Sequence, residues 1–409
     1  MQAIMVSAAF SCNSNSGSQQ QSAGQEAPKD YAQGTFGYDL SFLQKQDSVI
    51  VLKSADEKAQ VIVSPKYQAK VFTSTAGGPD GKSFGWVNYK AFSGPADPHM
   101  NAFGGENRFW LGPEGGHYSL FFKPGKEMVF DNWVTPGPFD TAAWELKAHD
   151  DHSVTMHKDM QLLNYAGTQL NISVTRQVSL LGKSDIESGL RISLGDSVQA
   201  VAYRTDNTIT NAGTQDWTEK TGMPCIWILD MFSPAPQTVI AVPYRNDSKN
   251  KKDIATTDYF GQIPPDRIHY EDNTILFKAD GKQRGKLGVP PQHALPFAGS
   301  YDPQHQVLTI LHFDLDTTAQ YLNQEWNTKK PVFSGDAVNA YNDGPLQDGS
   351  QMGPFYEMES VSPAAMLKSG ASQSHSQSVF HFTGPEKDLD AIAQKLLGIS
   401  IDKIKQTFQ

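Results

Sequence analysis

The stretch "DSVIVLKSADEKAQVIVSPKYQAKVFTSTAGG", Asp47 to Gly78, holds three short β-branched runs. They are interrupted at Ser54-Ala55-Asp56 and at Ser64-Pro65, residues that favour turns. Strand, turn, strand, turn, strand is the simplest reading, and the pattern recurs down the chain. "HYSLFFK", "SVTMHKDMQLL", "LNISVTRQVSLL", "LRISL", "VQAVAYRTDNTIT", "CIWILDMF", "TVIAVPY", "NTILFKA", "VLTILHFDL" and "QSVFHF" are all strand-like and are separated by Gly, Pro, Asn and Asp clusters. Strands do not alternate with helices, and no internal repeat of fixed period occurs. The expectation is a mainly β protein, a large antiparallel β-sandwich over about 35–383.

Only the C-terminus has a clear helical period. In "GPEKDLDAIAQKLLG", Leu389, Ile392, Leu396 and Leu397 share one face, Pro385 and Glu386 stand at the start, and Gly398 follows the last turn. Ser400 is placed to cap a further short helix, giving helices over 385–406 packed at the sandwich edge. "DTTAQYLNQEW" (316–326) is a further helix candidate.

The 409 residues suffice for a large core. A hydrophobic fraction of 38% excludes general disorder, and a net charge of −10 without a basic patch excludes nucleic acid as a partner. The chain opens with "MQAIMVSAAFSC" and then a Ser/Gln/Asn/Gly tract. An apolar run, a small residue, Cys12 and a polar tether resemble a bacterial lipoprotein signal. Residues 1–12 then form the signal-like segment, with Cys12 lipidated, 13–34 a flexible tether, and 35–409 the folded domain. The expected location is the cell envelope, periplasmic or at the surface, with a lipid anchor to the membrane. Cys225, inside "MPCIWIL", reads as a core residue of a buried strand.

Two segments carry candidate chemistry. In "HMNAFGGENRFWLGPEGGHYSLFF" (99–122), Gly104-Gly105 and Gly115-Gly116 mark turns. An extended course between them puts Arg108 and Trp110 on one face and Asn107, Phe109 and Leu111 on the other. "HYSLFF" reads as a second strand. The arrangement gathers Arg108, Trp110, Glu114 and His117 at one rim, with a forked donor, a stacking surface and a Glu–His pair able to share a proton. The second segment is "GPFYEMESVSPAAMLKSGASQSHSQSVFHF" (353–382). Glu357 and Glu359 share a face of one strand, where mutual repulsion and burial would raise one pKa, as a general base requires. His375, Gln377, Val379 and His381 share a face of the returning strand. "AHDDHSVTMH" (148–157) has no metal-ligand spacing and reads as a solvated turn, so no metal is expected. There is no phosphate-binding loop, dinucleotide fingerprint or Gly-x-Ser-x-Gly elbow, and no cofactor is expected. Trp133 and Trp144 read as packing residues.

These segments together resemble the galactose-mutarotase-like (aldose 1-epimerase) superfamily. The resemblance rests on the early hairpins, on the Gly-Gly-x-x-Arg-x-Trp-x-x-Pro-Glu segment, and on the late Glu strand followed by Ser-Pro and Gly. "GGENRFWLGPEGG", "NWVTPGPFD", "WILDMF", "NDGP" and "YEMESVSPAAMLKSG" resemble most closely an uncharacterised group of bacterial lipoproteins within it, over about 35–400. The resemblance implies a supersandwich that binds a carbohydrate on a sheet face. It implies a Glu that takes the anomeric hydroxyl proton and a His that protonates the ring oxygen. Glu357 or Glu359 matches the Glu, with Glu357 preferred. The His context of mutarotases is missing, leaving His99 and His117 as candidates. Lys286, in a Pro/Gly loop, is a further possible ligand contact. The expected site is Glu357, His117 and Glu114 for catalysis, with Arg108, Trp110, His99, Glu359 and Lys286 for binding. Epimerase-like turnover, glycoside cleavage and sugar binding without turnover all remain open.

Overall fold

The computed structural model describes residues 29–248 and 251–409. The signal-like segment, Cys12 and most of the expected tether lie outside the described residues. The tether's last part is ordered: the Tyr31 ring lies where a Cβ on Gly37 would stand, and the Ser83 amide donates to the Gly34 carbonyl.

The fold is an antiparallel sandwich of a ten-stranded and a five-stranded sheet. The hairpin strands Ile50–Lys53, Gln60–Ser64 and Lys70–Thr75 form a separate three-stranded sheet. A bridge from Val71 to Asn107 sets that small sheet beside the first strand of the five, Arg108–Gly112. In the five-stranded sheet the order is Gly285–Val289, Val338–Asn342, Tyr356–Val361, Cys225–Phe232, Arg108–Gly112, with every pair antiparallel.

Burial follows from how each face is covered. Ser153–Leu163 and Gln169–Leu180 of the large sheet alternate buried and accessible residues, because one face meets the core and the other meets water. Strands of the five-stranded sheet are buried almost throughout. One of its faces packs on the large sheet, and loops cover the other.

The Glu386–Leu397 helix forms as its period requires, and Gly398 at φ 71° ends it. Ser400 caps Ile401–Gln406 by accepting from the Lys403 amide at 3.3 Å. These helices cover the outer face of the large sheet rather than the sandwich edge. Leu389, Ile392, Leu396 and Leu397 bury against Val239, Ala241, Leu308, Ile310, Phe380 and Phe382. The apolar residues of three central strands that point away from the sandwich leave no stable alternative. Each large aliphatic side chain buried there contributes about 1.5–3 kcal/mol. Two helices escaped the periodicity, Phe36–Leu43 and Lys183–Leu190. Both are only eight residues long, too short for a period to stand out. Residues 316–326 form turns and extended chain, not a helix, and "LRISL" (190–194) is not a strand, because Leu190 ends the Lys183–Leu190 helix and Arg191 turns the chain at φ 54°.

A polar layer crosses the sandwich interior. Arg176, fully buried, donates to Asn207 Oδ1 at 2.6 Å and to Asn107 Oδ1 at 2.5 Å. Asn107 Nδ2 donates to Asp230 Oδ1 at 2.7 Å, and Gln377 Nε2 donates to Asp230 Oδ2 at 2.5 Å. Ser360 Oγ donates to Gln377 Oε1 at 2.6 Å and lies 2.8 Å from His375 Nε2. The residues expected to share a face of the returning strand, His375, Gln377 and His381, therefore bind the sheets to each other. His381 Nε2 lies 3.0 Å from Glu106 Oε1.

Candidate active site

Period-2 geometry decides which side chains leave the sandwich. Tyr356, Met358 and Ser360 of the Tyr356–Val361 strand point inward, so Glu357 and Glu359 point outward. On the neighbouring strand Asp230 points inward, so Trp227, Leu229 and Met231 point outward. The inward course of Asn107 and Phe109 likewise sends Arg108 and Trp110 out. Lys286 comes from the edge strand Gly285–Val289, not from a loop. These outward residues floor a cavity of about 130 Å³. Loops wall it with Met100, Glu114, Phe130, Trp133, Phe260, Trp326, Met352 and Phe355, and Arg284 and Tyr341 complete the lining.

Two buried ion pairs hold the floor. Arg108 donates to Glu357, the two side chains being 6% and 8% exposed. Lys286 Nζ donates to Glu359 Oε2 at 2.9 Å, and Trp227 Nε1 donates to the same oxygen at 2.8 Å. Burial alone would lower the Lys286 ammonium, but Glu359 and Glu114 more than offset this and raise it. Burial pushes Glu357 up, against the pull of Arg108. Burial also raises Glu114, to about 6, with Lys286 opposing the rise and Glu359 adding to it. Cations sit over aromatic faces, Arg108 at 5.1 Å from the Trp110 ring and Lys286 at 4.8 Å from Trp227.

Several buried polar atoms of the lining have no protein partner: Arg108 Nε, Arg284 Nε, Trp133 Nε1 and Glu359 Oε1. Buried polar groups are nearly always satisfied, so four such atoms on the residues of one lining single this cavity out as the candidate site.

The wall depends on glycine. A Cβ on Gly115 would stand 2.2 Å from the Glu325 carbonyl, beside Trp326. Gly104, at φ 84°, brings its Cα against the Trp86 carbonyl, where a Cβ would fall at 2.2 Å. The ring of Trp133 stacks 6.0 Å from Trp326 and 6.1 Å from Phe130.

The structure brings Arg108, Trp110, Glu114, Lys286, Glu357 and Glu359 into one cavity. It excludes His117, which is exposed and faces Asn323 and Lys330 at a separate small surface dimple. "HYSLFF" forms turns, not a strand, and that swings His117 outward. His99 lies behind the wall. Its Nδ1 is 2.6 Å from the Trp133 carbonyl and its ring stacks 4.5 Å from Phe130, so it buttresses the aromatic wall without lining the cavity. Trp133 lines the cavity, contrary to its packing assignment, whereas Trp144 packs on Phe109. The sequence reading missed Trp227, Arg284, Trp326 and Tyr341. "CIWILDMF" is apolar apart from Asp230, so alternation gave little contrast between its faces. A Trp326 placed on a helix had no reason to meet Glu114.

A larger groove of about 960 Å³ adjoins this cavity and shares Met100, Phe130 and Met352 with it. Its buried acid, Asp39, is already bonded by Ser83 and Tyr89.

With the geometry in hand, the sequence can be placed. The chain belongs to the DUF6786 family. This is a family of unknown function, and its model matches residues 34–408. No curated protein sequence matches the chain. Among solved structures it is similar to a candidate aldose 1-epimerase from Escherichia coli K12, at 12% identity and a TM-score of 0.51, covering 82% of this chain and 98% of that one. It is also similar to the Slr1438 protein from Synechocystis sp. PCC 6803, at 13% identity and a TM-score of 0.51, covering 83% and 96%. At such identities the likeness is one of fold, and the fold is the galactose-mutarotase-like one.

Proposed function

We propose that this protein acts on a sugar by acid/base chemistry, in an epimerase-like reaction, within the cavity of Glu114, Glu357 and Glu359. The observation that carries the reading is one cavity joining three carboxyls to aromatic walls, drawn from segments more than 200 residues apart. Trp133, Trp326 and Phe130 offer flat faces to the C–H side of a pyranose. Glu357, whose proton affinity burial raises, takes the anomeric hydroxyl proton. Glu114, titrating near 6, gives a proton to the ring oxygen. The C1–O5 bond breaks, the C1–C2 bond rotates, and closure in the reverse sense returns both protons. Glu114 thus takes the place of the His that the superfamily uses. Glu359, held by Lys286 and Trp227, accepts a neighbouring hydroxyl on its free Oε1.

Anomer exchange and glycoside cleavage are to be followed by NMR on a panel of free sugars and small glycosides. The expected result is exchange that falls about 10²–10⁴-fold in Glu357→Gln and in Glu114→Gln, with the fold intact. Its rate should follow a bell-shaped pH profile with a maximum between about 6 and 7, because Glu357 must shed a proton it holds up to about 7 and Glu114 must keep one it loses from about 6 upward. His117→Ala should match the wild type. Unaltered turnover in Glu357→Gln refutes the choice of base. Cleavage without exchange moves the reading to a glycosidase, and binding without turnover moves it to a sugar-binding protein. The location belongs to the same proposal, namely a bacterial envelope lipoprotein anchored through Cys12. Its support is the apolar run ending in Ser11-Cys12. Equal incorporation of labelled fatty acid by Cys12→Ala would remove it.

A further inference from the structure

We infer that the sugar taken by this cavity carries a carboxylate, and that Arg284 is the residue that recognises it. The inference rests on the functional reading above and narrows it to uronic acids.

The first observation is charge. Three cations line the cavity. Arg108 is matched by Glu357 and Lys286 by Glu359. Arg284 forms no ion pair with a carboxylate among the described residues, and the third carboxyl of the lining, Glu114, leaves it without a counter-charge while it holds the proton it donates in the proposed reaction. Its guanidinium carbon lies 3.7 Å from the centre of the Phe260 ring. Stacking at that distance fixes the plane of the group; the guanidinium meets the Tyr341 side chain on one side, and its buried Nε has no protein partner. Carboxylates meet such a fork with two parallel bonds.

The second observation is the donor count. Three of the four unpartnered buried atoms are N–H donors, on Arg108, Arg284 and Trp133, and only one is an acceptor, on Glu359. A hydroxyl brings a donor along with its lone pairs, whereas a carboxylate brings acceptors alone. The surplus of donors matches a ligand in which one hydroxymethyl is replaced by a carboxylate. Glu359 Oε1 is then left for one hydroxyl, beside the anomeric hydroxyl that meets Glu357.

The third observation is size. A cavity of about 130 Å³ accommodates roughly one six-membered ring. Oxidising a hydroxymethyl to a carboxylate adds almost no volume.

Isothermal calorimetry tests the inference. The ligands are D-glucuronate, D-galacturonate and D-mannuronate, each beside its neutral aldose and the 6-phosphate of that aldose. The proteins are wild type, Arg284→Gln and Arg284→Lys. At least one uronate should bind wild type roughly 10- to 100-fold more tightly than its neutral partner. The margin should shrink with salt, disappear in Arg284→Gln, and narrow in Arg284→Lys, which keeps the charge but loses the fork. Thermal unfolding of both variants confirms that they fold. Equal binding of uronates and neutral sugars overturns the inference while leaving the sugar site standing. So does a uronate preference that survives Arg284→Gln, or tighter binding of the 6-phosphates. Failure of every sugar to bind overturns both readings.

Discussion

Arg108→Met would leave Glu357 in the floor of the cavity, with a side chain 8% exposed and no counter-ion. Met keeps much of the stem packed against Trp110, so the lost charge dominates the effect. Removing one partner of a buried pair costs about 3–5 kcal/mol. The cost depends on pH. Burial already raises Glu357 above its ordinary value of 4.5, with Arg108 opposing the rise. In the variant it rises further. Between the unfolded and the folded pKa the native state then holds a proton that the unfolded chain releases, so stability falls as pH climbs. At pH 4.5 much of the penalty is absent and about 1 kcal/mol of packing and bonding is lost. At pH 8 the whole penalty applies. Unfolding entropy of about 2.1 cal/mol/K per residue over the roughly 380 residues from Tyr31 to Gln409 makes each kcal/mol worth about 1.2 °C. The apparent Tm should therefore drop by about 4–6 °C at pH 8 and about 1 °C at pH 4.5, measured by near-UV circular dichroism at one scan rate. Arg108→Met with Glu357→Gln removes the stranded charge and should recover at least half of the loss at pH 8. An equal drop at both pH values, or no recovery in the double variant, would refute the reasoning.

Burial lowers His375 to about 4, so the folded protein keeps it neutral where the unfolded chain protonates it. It thus contributes stability that is lost as pH falls from about 6.5 toward 4, and acid titration of Tm in His375→Gln should be flatter across that window. Gly115→Ala should cost roughly 1–3 kcal/mol in urea unfolding, because its Cβ meets the Glu325 backbone rather than a flexible side chain. It should also weaken sugar binding by moving Trp326. Burial pushes the Cys225 thiol up to about 12, so a thiol reagent at pH 8 should label it only after denaturant is added. Labelling of the native protein would contradict its place in the Cys225–Phe232 strand.

The strands, their antiparallel character and the C-terminal helices were legible in the sequence because each rests on a local signal. β-Branched runs between turn residues announce strands whatever they pair with. The Leu389, Ile392, Leu396 and Leu397 stripe, with Pro385 before it and Gly398 after it, announces a helix that must cover an apolar surface. Alternation also placed Glu357 with Glu359 and Arg108 with Trp110, since a strand sends every second side chain to the same face. Tertiary structure alone decided which face that was. The inward set, Asn107, Asp230, Ser360 and Gln377, is as polar as the outward set. Only the hydrogen bonds across the sheets show that it belongs to the interior. His117 was misplaced for a related reason, because "HYSLFF" has a strand's composition but turns back after Gly116. Arg284, Trp227 and Trp326 reach the cavity through the order of the five strands and the course of residues 316–326. Such long-range pairings leave no mark on the spacing of neighbours in the chain, so the cavity's charge balance appears only once the sheet has formed.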